Sequence, residues 1–276
     1  MDCVACGSIA VTERPDRTAR GCRRFRCRDC DKQYNERSGT LLNHTRYPSD
    51  VIALVVLWRL RYRLTLRDLA EMFLLRGIVF SYEEVRDWET KLAPVLTCEL
   101  RRRRYGGRGA SRRDWHVDET YLKVRGRWCY LYRAIDSRAG NLVDTMLSEH
   151  RDMAAAQAFF RSAKAATGVT PERMTTDGHG SYPRAIRTML GRRAEHRTSA
   201  YKNNGLEQDH RGIKGRIRCM RGFKSLRSAD RFCRAYDEFR SLLRPRTRYN
   251  QPVSASRRRL LHHRRAAAAL AILIAA

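Results

Sequence analysis

Trp115–Val124, WHVDETYLKV, followed by Arg125-Gly126 and then by Arg127–Asp136, RWCYLYRAID, is the stretch that decides the fold. Both runs are rich in β-branched and aromatic residues, and the Arg-Gly break between them predicts a turn joining paired strands. Asp118 stands in the middle of the first run. A carboxylate inside an apolar strand costs stability unless it is paired or bound to a metal. Working outward, Asn141–Ser148 predicts a third strand and Met153–Ala166 an alanine-rich helix. Arg173–Asp177 predicts a short strand ending in TDG, Tyr182–Leu190 a second helix, and Leu206–Arg218 a third.

Hairpin, strand, helix, strand, helices is the element order of a ribonuclease-H-like fold, an α/β class with a mixed sheet and helices on both faces. Asp118 lies within the first strand, Asp177 ends the fourth, where open sheets place binding residues, and Glu207 opens the last helix. In such a fold the three converge on one edge of the sheet. Three carboxylates are hard oxygen ligands suited to Mg²⁺ or Mn²⁺. Two such ions activate an attacking water or 3′-hydroxyl and stabilise the leaving oxygen in an in-line displacement at phosphorus. Each acid also has a plainer reading. Asp177-Gly178 fits an ordinary turn, and Glu207 fits a helix N-terminus that welcomes negative charge. Glu119 is expected on the opposite face of the strand from Asp118, and Asp136, Asp209 and Asp114 are rival acids. Glu207, His210, Arg211 and Lys214 recur at helical spacing, so Arg211 and Lys214 are candidate contacts to DNA phosphates. The plainer reading there is a solvated charged helix.

The first 37 residues carry a different signal. Cys3-x-x-Cys6 and Cys27-x-x-Cys30 are two knuckles twenty residues apart. Together they make a closed four-sulfur site of the kind that holds structural Zn²⁺, which would supply folding energy to a segment too small for its own core. Cys22 lies outside both pairs with poorer ligand spacing. Nine cysteines, an odd number, argue against a disulfide framework and for a reducing compartment.

Residues 45–100 predict a helical module. Val51, Ile52, Leu54, Val55, Leu57 and Trp58 give one helix a broad apolar face. Leu66, Leu69, Ala70 and Phe73 mark a second, ended by Gly77, and Val85, Trp88 and Leu92 a third, capped by Ser81. Two helices joined by a Gly-containing turn in a basic chain read as a helix-turn-helix-like DNA-binding module, with a plain helical hairpin as the alternative. Residues 101–113, RRRRYGGRGASRR, read as a flexible basic linker whose Arg101, Arg102, Arg103 and Arg104 are candidate DNA contacts. The catalytic core is expected over 114–245, and 246–276 reads as a basic, then alanine-rich tail. The net charge of +28 and pI near 10.7 point to a polyanionic partner, since arginine forks match phosphate geometry. The apolar run Ala266–Ala276 falls short of the roughly 20 residues that a spanning helix needs, and no secretory signal is visible. A cytoplasmic, nucleoid-associated protein with no membrane partner is expected.

Three motifs carry a family resemblance: VDETYLKVRGRWCYLYRAID (117–136), TTDGHGSYPRAI (175–186) and NNGLEQDHRGIKGRIRCMRGFKSLRSA (203–229), with RDLAEMFLLRGI (67–78) extending it into the helical module. The chain resembles the DDE transposases of insertion-sequence family six. The resemblance implies Asp118, Asp177 and Glu207 as the catalytic triad and Lys214 as a DNA contact. It also implies recognition of short terminal inverted repeats, strand transfer into target DNA and action as a homo-oligomer. The interval between Asp177 and Glu207 suggests a subgroup with a shorter connection, and the zinc ribbon is an extension that many members lack. Two other functions compete: a non-catalytic DNA-binding regulator built from the ribbon and helices, and a structure-specific nuclease of the same fold that cuts without joining.

Overall fold

The computed structural model describes residues 2–19, 21–105, 114–137, 140–199, 204–245 and 253–276. At its centre is a five-stranded sheet. Strand β4 (Asp114–Val124) and strand β5 (Arg127–Asp136) form the hairpin, with Asp118 opposite Arg133 and Lys123 opposite Trp128. Arg125 and Gly126 both take positive φ, 52° and 78°, as a two-residue turn matched to strand twist requires. Strand β6 (Leu142–Ser148) pairs antiparallel with β5. Strands β7 (Arg173–Thr176) and β8 (Glu195–Thr198) add in parallel on the far side of β4, giving the order β6-β5-β4-β7-β8. Helix α4 (Met153–Thr167) supplies the crossover between β6 and β7, and helix α5 (Tyr182–Leu190) the one between β7 and β8. This three-antiparallel, two-parallel sheet is the arrangement expected of a ribonuclease-H-like core.

The sheet buries a different core on each face. On one, Trp115, Val117, Tyr132, Ala134 and Val143 pack on Phe159, Phe160, Tyr182 and Ile186 of α4 and α5. On the other, Leu122, Val124, Cys129, Leu131 and Leu147 join a larger cluster built from helices. These are α1 (Ser49–Arg61), α2 (Leu66–Leu74), α3 (Tyr82–Tyr105), α6 (Asn204–Cys219), α7 (Leu226–Leu243) and α8 (Ala255–Ile274). The helical module therefore shares one continuous core with the catalytic sheet. Alternation along β4 and β5 explains the split, because successive side chains point to opposite faces.

Three expectations change here. The segment 101–113 is not wholly a linker, because α3 continues through Pro94 to Tyr105; residues 106–113 lie outside the described residues. Leu96 and Leu100, buried beyond the proline, hold the helix on course. Arg104 is buried, pairing with Glu238 and donating to the carbonyl oxygens of Leu142 and Val143. Arg101 meets Asp144 at 3.0 Å. Both arginines bind the protein's own carboxylates and are not free for phosphate, whereas Arg102 and Arg103 lie on the exposed side, sharing Glu99. The expected tail is a helix. Ala269, Ile272 and Leu273 of α8 are buried among the helices, Arg265 Nη1 donates to the carbonyl oxygens of Leu242 and Arg244 at the end of α7, and the Leu41 amide donates to the Ala276 carbonyl. No helix among the described residues is long and apolar enough to cross a membrane.

At the N-terminus, β1 (Val11–Arg17), β2 (Arg23–Cys27) and β3 (Gln33–Asn35) form a three-stranded antiparallel sheet. Among the described residues its core is Cys3, Phe25, Cys27 and Tyr34, with Val11 against them.

Candidate active site and cysteine centre

Strand register brings the first two acids together. β4 and β7 run parallel, with His116 level with Thr175. Two residues further along each chain come Asp118 and Asp177, on neighbouring tracks roughly 4.8 Å apart and at the same height. Oxygens of Asp118, Glu119 and Asp177 lie within 4.8 Å of one another. Glu119 was not expected there. It does sit on the α4/α5 face of the strand, where Tyr182 and Arg151 both donate to its carboxylate. Its longer side chain nevertheless keeps an oxygen beside Asp118. Arg151 also reaches Asp177 at 3.3 Å, so one guanidinium spans two of the three acids.

Crowding shows in the protonation of the group. Burial, then the negative charges of Glu119 and Asp177, push the Asp118 carboxyl up to about 7. This cluster favours added positive charge, and its donors are all hard oxygens, the chemistry that suits Mg²⁺ or Mn²⁺.

Helix α6 closes the edge. His210 Nδ1 lies 3.8 Å from an Asp118 oxygen. Burial, then Arg133 and Lys214, hold this imidazole down at about 3, so it is neutral beside the acid. Glu207 is one turn earlier on the same helix. Its side chain is 53% exposed, 3.9 Å from Arg211, and is not part of the close group of three. The structure thus brings Asp118 and Asp177 together and leaves Glu207 at the rim. Lys214 Nζ rests 4.6 Å from the centre of the Tyr121 ring. The rival acids have other work. Asp209 pairs with Arg240, and Asp114 lies 3.8 Å from Arg173. Asp136 is buried at the far end of the hairpin, opposite Trp115.

The sulfurs of Cys3, Cys6, Cys27 and Cys30 also lie within 4.8 Å of one another, and Cys22 stands outside the group. The pairs Cys3–Cys30 and Cys6–Cys27 are each 3.6 Å apart. A tetrahedron with Zn–S near 2.3 Å has edges of about 3.8 Å, so the spacing fits a four-thiolate zinc site. The thiols share protons as a group: backbone N–H groups of Cys6 and then Ala5 hold Cys3 down at about 6, while Cys6, against the pull of the Ser8 backbone, is pushed up to about 12 by the neighbouring thiols, and Cys30 is raised as well.

The chain is similar to several known proteins. A family profile described as a DDE domain matches residues 112–246. The transposase of the insertion sequence-like element IS431mec of Staphylococcus aureus is 35% identical over 182 residues, covering 63% of this chain and 79% of that protein. The transposase of insertion sequence IS257 in transposon Tn4003 of Staphylococcus aureus matches to the same extent. Among solved structures, the HTLV-2 integrase catalytic core domain in complex with magnesium is 17% identical, with a TM-score of 0.37, and covers 55% of this chain and 97% of that one. The catalytic domain of Mos1 mariner transposase is 15% identical, with a TM-score of 0.36, over 67% of this chain and 95% of that one. With more than a third of the aligned residues shared across most of the length of these insertion-sequence enzymes, the chain belongs to the DDE transposases of insertion-sequence family six.

Proposed function

We propose that Asp118, Asp177 and Glu207 are the catalytic acids of this transposase and that they cut and join DNA at transposon ends. The observation that carries the reading is the parallel register of β4 and β7, which sets Asp118 beside Asp177 in a crowded cluster of hard oxygen donors. Glu207 completes the set from α6, whose next turn already touches Asp118 through His210. Divalent ions, Mg²⁺ or Mn²⁺, supply Lewis-acid activation of the attacking oxygen and stabilisation of the leaving oxygen when bound. The protein's own groups do the rest. Arg151 offsets the repulsion between Glu119 and Asp177, and Tyr182 fixes Glu119 so that the acid beside Asp118 keeps one orientation. Buried, neutral His210 packs beside Asp118 without adding a cation to the site.

The partners in this reading are the terminal inverted repeats and the target DNA, held by a homo-oligomer in the cytoplasm at the nucleoid. Arg211, Lys214, Arg102 and Arg103 are the candidate phosphate contacts. The four N-terminal cysteines hold structural zinc. Purified protein given Mg²⁺ and a duplex with a pre-cleaved transposon end is expected to yield joined products, and none in excess chelator. Cutting without joining would replace this reading with that of a nuclease, and binding alone would replace it with that of a regulator.

The zinc reading has its own test. Protein purified without chelator is expected to hold about one zinc per chain. Cys27→Ser is expected to lose it and to expose residues 1–37 to protease, while the catalytic sheet stays protected because its cores share nothing with the ribbon. A zinc-free wild-type protein with an ordered ribbon would refute it.

A further inference from the structure

The β4–β5 hairpin extends past the point where β7 stops pairing with β4. On the face that also carries Glu119, two large aromatic side chains stand exposed: Tyr121 at 55% and Trp128 at 52%. Their rings meet edge to face, with centroids 5.1 Å apart and planes at 89°. Each carries a lysine: Lys123 Nζ is 4.7 Å from the Trp128 ring, and Lys214 Nζ is 4.6 Å from the Tyr121 ring. Among the described residues neither lysine has a carboxylate partner. Tyr121 lies two residues beyond Glu119 on the same strand and face, about 7 Å along. The patch therefore begins one strand repeat from the acid cluster.

We infer that Tyr121 and Trp128, with Lys123 and Lys214, form a stacking platform for an unpaired nucleobase next to the strand end being joined. The inference rests on the reading of the acid cluster as the place where DNA is cut and joined. Exposed rings offer flat apolar faces that a base covers well, and paired cations can leave those faces for the flanking phosphates. A blunt duplex presents base faces only at its ends, so the platform selects DNA whose terminal bases have come apart. It also gives Lys214 a definite place: on α6, between the rim of the acid cluster and the aromatic pair.

The alternative is that the rings only stabilise the hairpin, as edge-to-face pairs do. Binding of the full-length, zinc-loaded chain to a fluorescent oligothymidylate and to a blunt duplex of equal length, at one salt concentration, separates the two. Trp128→Leu and Tyr121→Leu keep apolar packing and remove or reduce the flat face. Each is expected to weaken single-strand binding by about 5- to 100-fold and duplex binding by less than about twofold. Trp128→Phe should keep most single-strand affinity. A duplex whose terminal bases are abasic should lose joining in the wild type and lose little more in Trp128→Leu. Equal weakening on both DNA forms, or unchanged single-strand binding by both leucine variants, would overturn the platform. The binding contrast needs no catalysis, so it is decided apart from the joining reaction, and failure of the wild type to join ends would count against the acid cluster alone.

Discussion

Asp118→Asn, Asp177→Asn and Glu207→Gln are each expected to lower joining of pre-cleaved ends by at least about a thousandfold, because residues that act as one unit fail together. Duplex affinity should change little, since none of the three is a cation. The variants should differ in stability. In the metal-free protein Asp118 has its carboxyl pushed up to about 7 by burial and by its two acidic neighbours, against an ordinary value of 3.8. A carboxyl raised on folding contributes most below its unfolded value, and that stability is lost as pH rises through about 4 to 7. At pH 8 the folded protein therefore carries the full cost of the buried charge. Asp118→Asn should raise the metal-free Tm there by roughly 2–8 °C and leave it nearly unchanged at pH 4. Glu207→Gln, at an exposed rim position, should leave Tm alone at both. Glu119→Gln tests the third ligand: if it abolishes joining and Glu207→Gln does not, the acid set is the compact group of three and Glu207 leaves the site.

Asp237→Ala, on the α7 face that packs against the sheet, is expected to cost about 3–5 kcal/mol. Asp237 and Arg133 are both fully buried. Arg133 Nε donates to Asp237 at 3.0 Å, its Nη2 makes a second bond to the same carboxylate, and the Thr145 hydroxyl donates at 2.6 Å. Removing the acid leaves a guanidinium in the core with its charge uncompensated. At a few degrees per kcal/mol, Tm should fall by about 6–20 °C. The exposed pair Arg173–Glu195 gives the contrast, and its loss should cost at most about 1 kcal/mol. Arg133 faces Asp118 across the hairpin, so its bond to Asp237 also keeps this cation from closing on the candidate catalytic acid. An Asp237→Ala protein as stable as the wild type would mean that the pair is not the buried lock described above.

Local chemistry made the hairpin legible. Strand formers flank Arg125-Gly126, and the turn takes the two positive φ values it needs. Asp118 and Asp177 were legible for a similar reason: one interrupts an apolar strand and the other ends one. Glu119 and Arg151 were not, because their meeting depends on side-chain reach across three elements, and strand alternation taken alone sends Glu119 away from the site. The arginine run at 101–104 misled by composition. Seven arginines and three glycines in 101–113 read as solvated linker, yet Glu238 and Asp144, far away in sequence, neutralise two of those arginines. The C-terminal helix was hidden too, since alanines at 266–269 give little hydrophobic periodicity until a groove between helices shows which of them are covered.

The division of the cores sets the limits of modular exchange. The N-terminal sheet keeps its own small cluster beside its four gathered cysteine sulfurs, so the chain between Glu36 and Leu42 is a natural seam at which this unit can be gained, lost or traded between relatives. Among the described residues no comparable seam lies between the helical module and the catalytic sheet. Leu57, Leu96, Leu131, Phe232 and Leu273 belong to one cluster drawn from both halves of the chain. A chimera joined between residues 105 and 114 would have to match both partners' halves of that cluster. Lineages of this enzyme should therefore diversify by changing the N-terminal unit far more readily than by exchanging the helices next to the sheet.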